Sequence, residues 1–298
     1  MAGRMQGKVS FVTGAGRGQG RAHAVLQARE GADVIAVDIC EDIESNPYPM
    51  ASWDDLMETK RVVEDAGRRC VAVKADVRNR EQLDKAVGQG VGELGQLTTV
   101  MANAGILPLA MGDPQPMDFQ DAVDVDLIGV MNTLAVSVPH LIPAGNGASI
   151  IITGSTAALI PNTISAPGDP RTIMGPGGAG YSWSKQTLVG YAQQMAVHLA
   201  PTGIRVNVVH PTNCNTHLMN SEGIYQVLRP DIQDQPVTKE DFRLASVFYH
   251  ALPTPWLEPE DVAELVLFLA SDASKYMTGT SIPIDADCIV KWPNGSGQ

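Results

Sequence analysis

Basic residues are scarce in this chain: 21 lysines and arginines stand against 33 aspartates and glutamates, giving a formal net charge of -12 over 298 residues. Repulsion argues against nucleic acid and anionic membrane as partners. Cysteine is sparse too. Cys40, Cys70, Cys214 and Cys288 lie far apart with no C-x-x-C spacing, which excludes a disulfide framework and leaves reduced thiols. The six histidines show no clustered ligand spacing, so no metal is expected. No apolar run approaches the ~20 residues of a membrane span, and glycines interrupt MAGRMQGKVSFVTGAG before a signal-type apolar region forms. The expectation is a soluble, cytoplasmic protein.

What the chain does have is rhythm. Apolar, β-branched runs recur at 8–13, 32–38, 70–76, 97–103, 148–154, 204–210 and 280–285, with helical patterns between them, among them Gly18 to Glu30, Trp53 to Ala66 and 258–272. Runs apolar nearly throughout suit strands covered on both faces, and their alternation with helices predicts parallel pairing. The expected fold class is α/β: a single-domain Rossmann-type doubly wound parallel sheet of about seven strands, with helices on both faces, over residues 1–298. Three irregular stretches, 39–52, 159–180 and 211–257, leave the carboxyl ends of expected strands, where open α/β sheets bind ligands. The first two read as loop insertions. The third reads as a substrate lid, since 222–230 and 248–256 bring apolar and aromatic residues there.

VTGAGRGQGRAHA, residues 12–24, follows the first strand and opens a helix, the setting a phosphate-binding turn requires. Gly14, Gly18 and Gly20, with Arg17 and Gln19 between them, give T-G-x-x-x-G-x-G; glycine lets backbone approach a pyrophosphate, which the helix N-terminus then meets with free N–H groups. Asp38 closes the second strand, where a carboxylate can hold both ribose hydroxyls and repel a 2′-phosphate. This favours NAD, although Arg17 could meet the phosphate of NADP. Asp76 and Val77 after the third strand, and Asn103-Ala104-Gly105 after the fourth, fit the adenine side and a close passage of the chain past the cofactor.

Ser155 lies just past the fifth strand. In GAGYSWSKQT, 178–187, Tyr181 and Lys185 read as the start of a helix, four residues apart and therefore on one face. Alone, such a pair is ordinary on a solvated helix. Beside a cofactor it has a use: a phenol with a pKa of ~10 is no base near neutral pH, but the Lys185 ammonium and a cationic nicotinamide favour phenolate. Tyr181 then takes an alcohol's proton while hydride leaves, and Ser155 hydrogen-bonds the same oxygen. Trp183 points off that face, towards packing or a subunit contact. His140 and His198 read as surface or core, while His210 and His217 flank the cofactor segment.

T-G-x-x-x-G-x-G, N-A-G, a serine past strand five and Y-x-x-x-K, in this order, resemble the short-chain dehydrogenase/reductase family over essentially the whole chain. The resemblance implies that HPTNCNT, 210–216, is the family's P-G-x-x-x-T segment, with Thr212 replacing the glycine. Pro211, Thr212, Asn213 and Thr216 would border the cofactor, Thr216 on the nicotinamide carboxamide. It further implies that Lys185 binds the nicotinamide ribose and that the enzyme is a homotetramer. Aligning Gly129 with N-x-x-G puts Asp126 where the family carries a catalytic asparagine that helps hold a relay water. An acid there brings charge near Lys185, and Asn132 is too far along to substitute. TGAGRGQGRAHA, AVDIC, PYPMAS and HPTNCNT are similar to the carveol dehydrogenase-like, mycofactocin-associated subgroup of actinobacterial enzymes. That similarity implies an NAD-dependent oxidoreductase of small apolar secondary alcohols, often terpenoid, some members of which retain NAD and pass electrons to an external redox acceptor. Two other readings stay open: a dehydratase or epimerase on the same framework, and a nonenzymatic NAD sensor, which Asp126 keeps in play.

Overall fold

The computed structural model describes residues 3–109, 115–160, 175–221, 223–225, 229, 232 and 237–291. The apolar runs form β1 Val9–Thr13, β2 Asp33–Asp38, β3 Cys70–Lys74, β4 Thr99–Ala102, β5 Ser149–Thr153, β6 Arg205–Pro211 and β7 Ser281–Ile284. They make one sheet of order β3-β2-β1-β4-β5-β6-β7, parallel throughout. The helices are α1 Gly18–Arg29, α2 Trp53–Asp65, α3 Arg80–Leu94, α4 Pro116–Val123, α5 Gly129–Leu141, α6 Gly175–Leu199, α7 Lys239–Tyr249, α8 Pro259–Ala270 and a closing turn α9 Cys288–Lys291.

Period-two alternation splits the strand side chains between two layers. Phe11, Ile35, Val37, Ile150 and Ile152 face the layer built with α3, α5 and α6; Val12, Val34, Ala36 and Ile151 face the layer of α1, α2 and α8. Fully buried side chains such as Phe11 and Ile35 each contribute about 1.5–3 kcal/mol of burial. From β1 the chain steps outward to β2 and β3, then returns across to β4. The carboxyl ends of β1 and β4 therefore diverge and leave a crevice.

Two sequence expectations change. The stretch 159–180 is not loop to its end, because α6 already runs from Gly175, so Tyr181 sits in its second turn and not at its start. The glycines there serve packing: a Cβ on Gly177 would lie 1.8 Å from the Pro108 carbonyl oxygen, and one on Gly180 2.6 Å from that of Phe119. Residues 161–174 of this stretch lie outside the described residues. The second change concerns apolar length. The continuous helical run Pro116–Ala144, 29 residues, is long and apolar enough by composition to cross a membrane, but 56% of its apolar window is buried inside the fold. Val130 and Leu134, for example, are core.

His23 on α1 is fully buried and neither ring nitrogen has a hydrogen-bond partner. Burial lowers its pKa from 6.5 to about 4. The unfolded chain takes up that proton first, so stability falls as pH drops from about 6.5 towards 4, by roughly 3 kcal/mol in all. His23→Met should lack this part of the decline, as read from urea unfolding of parent and variant across the window. Parallel declines would refute the assignment.

Candidate active site

The turn after β1 is shaped by glycine. Gly14 has φ of +66°, and a Cβ on Gly20 would lie 2.0 Å from the Gly14 carbonyl oxygen. No side chain caps the N-terminus of α1, leaving first-turn N–H groups for an anion. Asp38, buried at the end of β2, accepts the Gly16 N–H at 2.8 Å and the Cys40 N–H at 3.3 Å. Burial raises its pKa against the pull of those donors. The Arg17 guanidinium donates to the Pro49 carbonyl, so it is engaged by the insertion after β2.

That insertion, 39–52, is a built part of the crevice. It ends in a reciprocal cap, with Ser52 Oγ accepting from the Asp55 N–H at 3.1 Å and Asp55 Oδ2 from the Ser52 N–H at 2.8 Å. Tyr48 is buried and its oxygen accepts the Leu107 N–H at 3.2 Å, bridging the β2 and β4 sides. No local pattern marks Tyr48, because its partner is far away in sequence.

Asp76 is held by Arg78, with Nε 2.9 Å from Oδ2. Asn132 Nδ2 donates to the Val77 carbonyl at 3.0 Å, a positioning role the sequence did not reveal. Asn103 knits three strand ends: its N–H donates to Thr13 Oγ1 at 3.0 Å, its Nδ2 to the Thr13 carbonyl at 3.1 Å, and its Oδ1 accepts from Thr153 Oγ1 at 3.2 Å. Ala104 and Gly105 come next along the crevice wall.

Ser155 leaves β5 with its backbone against His210 of β6, whose Nδ1 lies 3.2 Å from the Ser155 nitrogen and 2.9 Å from its oxygen. His210 is wholly buried, and burial lowers its pKa. Ser155 hydrogen-bonds Tyr181 through its side chain. One turn along α6, Lys185 Nζ donates to the Thr153 carbonyl at 2.9 Å and lies 5.5 Å from the Tyr181 ring centre. Opposite it stands Asp126, carried on a π turn Asp124–Ile128, with Oδ1 3.0 Å from Nζ. Burial would lower the lysine pKa, but Asp126 and Tyr181 hold it raised. Burial raises the Tyr181 pKa, Lys185 opposes that, and Asp126 adds to it.

Past β6, Pro211, Thr212, Asn213 and Thr216 line the far wall. Thr216 Cγ2 would meet a Cβ on Gly18 at 3.2 Å, and Thr212 Oγ1 pairs with His250 Nε2 at 2.9 Å. One cavity of about 400 Å³ is lined by all the candidate catalytic and cofactor-binding residues named from the sequence, together with Tyr48, Tyr249 and Cys288, which were not so named. Leu107, Leu109 and Ile224, with Leu218 and Met219 against them, give it an apolar roof. An uncapped helix start, glycines where a Cβ has no room and an acid at the end of β2 suit a dinucleotide.

A family model described as enoyl-(acyl carrier protein) reductase matches residues 14–286. The chain is 40% identical to a (-)-trans-carveol dehydrogenase of Rhodococcus erythropolis, over 97% of this chain and 99% of that one. It is 43% identical to a short-chain type dehydrogenase/reductase of Mycolicibacterium smegmatis, over 98% and 100%. Among solved structures, carveol dehydrogenase from Mycobacterium avium in complex with NAD superposes with a TM-score of 0.86 at 40% identity, covering 97% of this chain and 100% of that one. The chain belongs to the short-chain dehydrogenase/reductase family.

Asp38→Asn is expected to weaken NAD binding ten- to a hundredfold, the scale of losing charge-assisted hydrogen bonds of about 1.5–3 kcal/mol, and to narrow the preference over NADP. Calorimetric titration with both dinucleotides measures this. Unchanged affinities would remove Asp38 from the ribose site.

Proposed function

We propose that this protein interconverts a small, apolar secondary alcohol, of carveol-like type, and its ketone, with Tyr181 as general acid/base. The coarser statement is that it is an NAD-dependent oxidoreductase acting on alcohols, as its family, its relatives and its crevice support. One observation carries the finer reading: Ser155, Tyr181 and Lys185 line a single cavity that joins the glycine turn to an apolar roof. The residues that would hold the dinucleotide are Gly14 to Gly20, Asp38, Asp76, Val77, Asn103 to Gly105 and Pro211 to Thr216, with Lys185 on the nicotinamide ribose. Bound there, NAD would supply the hydride acceptor for alcohol oxidation, and its reduced form the hydride donor for ketone reduction.

The protein's own residues handle the proton and the oxygen. Tyr181, as phenolate, takes the hydroxyl proton in oxidation and gives it back in reduction. Ser155 donates to the same oxygen and stabilises charge that develops on it. Lys185 supplies the positive field that makes the phenolate accessible. Leu107, Leu109 and Ile224 exclude water above the reacting carbon, and the described parts of 211–257 form the lid over it.

The 39–52 insertion supports a retained cofactor, since Tyr48 accepts the Leu107 N–H from the β4 side and Arg17 of the glycine turn donates to Pro49. A retained dinucleotide requires an external redox acceptor, as in the mycofactocin-associated enzymes the chain resembles. Exposed Met117 and Trp183, with Phe119 and Trp183 ring centres 6.3 Å apart, form an apolar face suited to self-association in a homotetramer. The acidic surface suits the cytoplasm.

Native mass spectrometry of the purified protein should give four chains of 31.7 kDa, each with one dinucleotide, and carveol should reduce it once per site without added NAD. A bare monomer, or turnover that tracks added NAD, would remove the tetramer or the retention respectively. Tyr181→Phe should lower the rate of alcohol-dependent reduction by about 10²–10⁴-fold while the dinucleotide stays bound. A parental rate would end the catalytic assignment.

A further inference from the structure

The family resemblance places an uncharged amide at position 126, and this chain places a carboxylate there. Asp126 has no exposed side-chain surface, and Lys185 only 3%. Oδ2 accepts the Ile106 N–H at 3.3 Å, while Oδ1 faces the ammonium at 3.0 Å without a well-directed hydrogen bond. The contact is one of charge. Gly105 makes room for it, because a Cβ there would lie 2.6 Å from Asp126 Oδ1 and 3.5 Å from Lys185 Nζ. The ammonium that should draw the proton off Tyr181 thus has a full counter-charge on its other side.

We propose that Asp126 is a positioning residue that sets the pH at which Tyr181 works: by neutralising Lys185 it keeps the phenol protonated to higher pH than an amide at this place would. This rests on Tyr181 as the general acid/base. Every charged or titratable group among the described residues that faces the phenol enters the balance. Lys185 faces it from α6, Asp126 from the π turn and Tyr48 from the 39–52 insertion, and the Ser155 hydroxyl bonds it from the end of β5. His210, beneath Ser155, feels the lysine charge and is kept neutral by burial. Burial raises the Asp126 carboxyl and Lys185 at 3.0 Å draws it back down; as the partner of the ammonium it carries the counter-charge where the phenol proton is in question.

Asp126→Asn keeps the size and the acceptor for Ile106; Asp126→Ser is smaller; both remove the charge. The ultraviolet tyrosinate band of the enzyme as purified, titrated with pH and corrected by the Tyr181→Phe protein for the other tyrosines, reads the phenol directly. Both variants should ionise about one pH unit below the parent, a tenfold change in the ionisation constant. The inflection in kcat/KM for alcohol oxidation should move down with it. Coincident inflections in parent and variants would overturn the proposal, as would variants that differ only in melting temperature. If Tyr181→Phe retains full activity while the tyrosinate shift is present, the catalytic reading fails and the electrostatic one stands.

Discussion

A buried ammonium is tolerable only where its charge and its donors are met, and Lys185 is where this fold must meet that condition. The Thr153 carbonyl at the end of β5 takes one donor and Asp126 answers the charge. Both partners depend on structure beyond themselves. The carbonyl is free because β5 stops at Thr153, and Asp126 points inward because the helix between α4 and α5 widens into a π turn. The extra residue of such a turn shifts the helical phase of the residues after it. It lets α4 pack on α6 while α5 packs on α3, with the carboxylate at the junction.

The cavity is divided by chemistry as well as by shape. Its floor comes from strand ends, where backbone groups and short polar side chains such as Thr13, Asn103 and Thr153 satisfy one another. Its roof comes from later segments, where Leu218, Met219 and Ile224 meet Leu107 and Leu109. Tyr181 stands between the two, with its ring against the apolar cluster and its oxygen bonded to Ser155. On the role proposed for Tyr181, proton transfer would be confined to that boundary, with donors to a phenolate on one side and a dry contact for an apolar substrate on the other.

The strands and the glycine turn were legible because their signals are local. An apolar run of strand length needs no distant partner to be recognised, and Gly14 and Gly20 are demanded by the turn itself. Tyr181, Lys185 and Ser155 were legible only in order, each being ordinary alone. The start of α6 was misread because glycine and proline signal a break, whereas here Gly177 and Gly180 are thin enough to pass Pro108 and Phe119. Tyr48 and Cys288 were not marked as site residues, and Asn132 and His210 were named without the roles they take. Tyr48 meets Leu107, Asn132 meets Val77 and His210 meets Ser155, contacts set by the folded sheet and not by spacing along the chain. The Asp126 departure was visible in sequence, but its ion pair is a product of packing.

The pair also explains why the polar residues of the site are not equivalent. Removing the hydroxyl of Ser155 or Tyr181 strands no charge; for Ser155 the loss to the fold is the neutral hydrogen bond its Oγ accepts from the Ala157 N–H at 3.1 Å, about 0.5–1.5 kcal/mol. Removing the Lys185 ammonium would leave the wholly buried Asp126 carboxyl without its counter-charge, so that it is neutralised only by taking up a proton, a loss of about 3–5 kcal/mol in comparable buried pairs. Lys185 and Asp126 therefore constrain each other: with the acid in place, the lysine is needed for the stability of the crevice as well as for the role proposed for it. On the proposal that Asp126 tunes the phenol, the pair that makes the buried ammonium tolerable also sets the ionisation of Tyr181, so both demands meet at the same two atoms, Nζ and Oδ1.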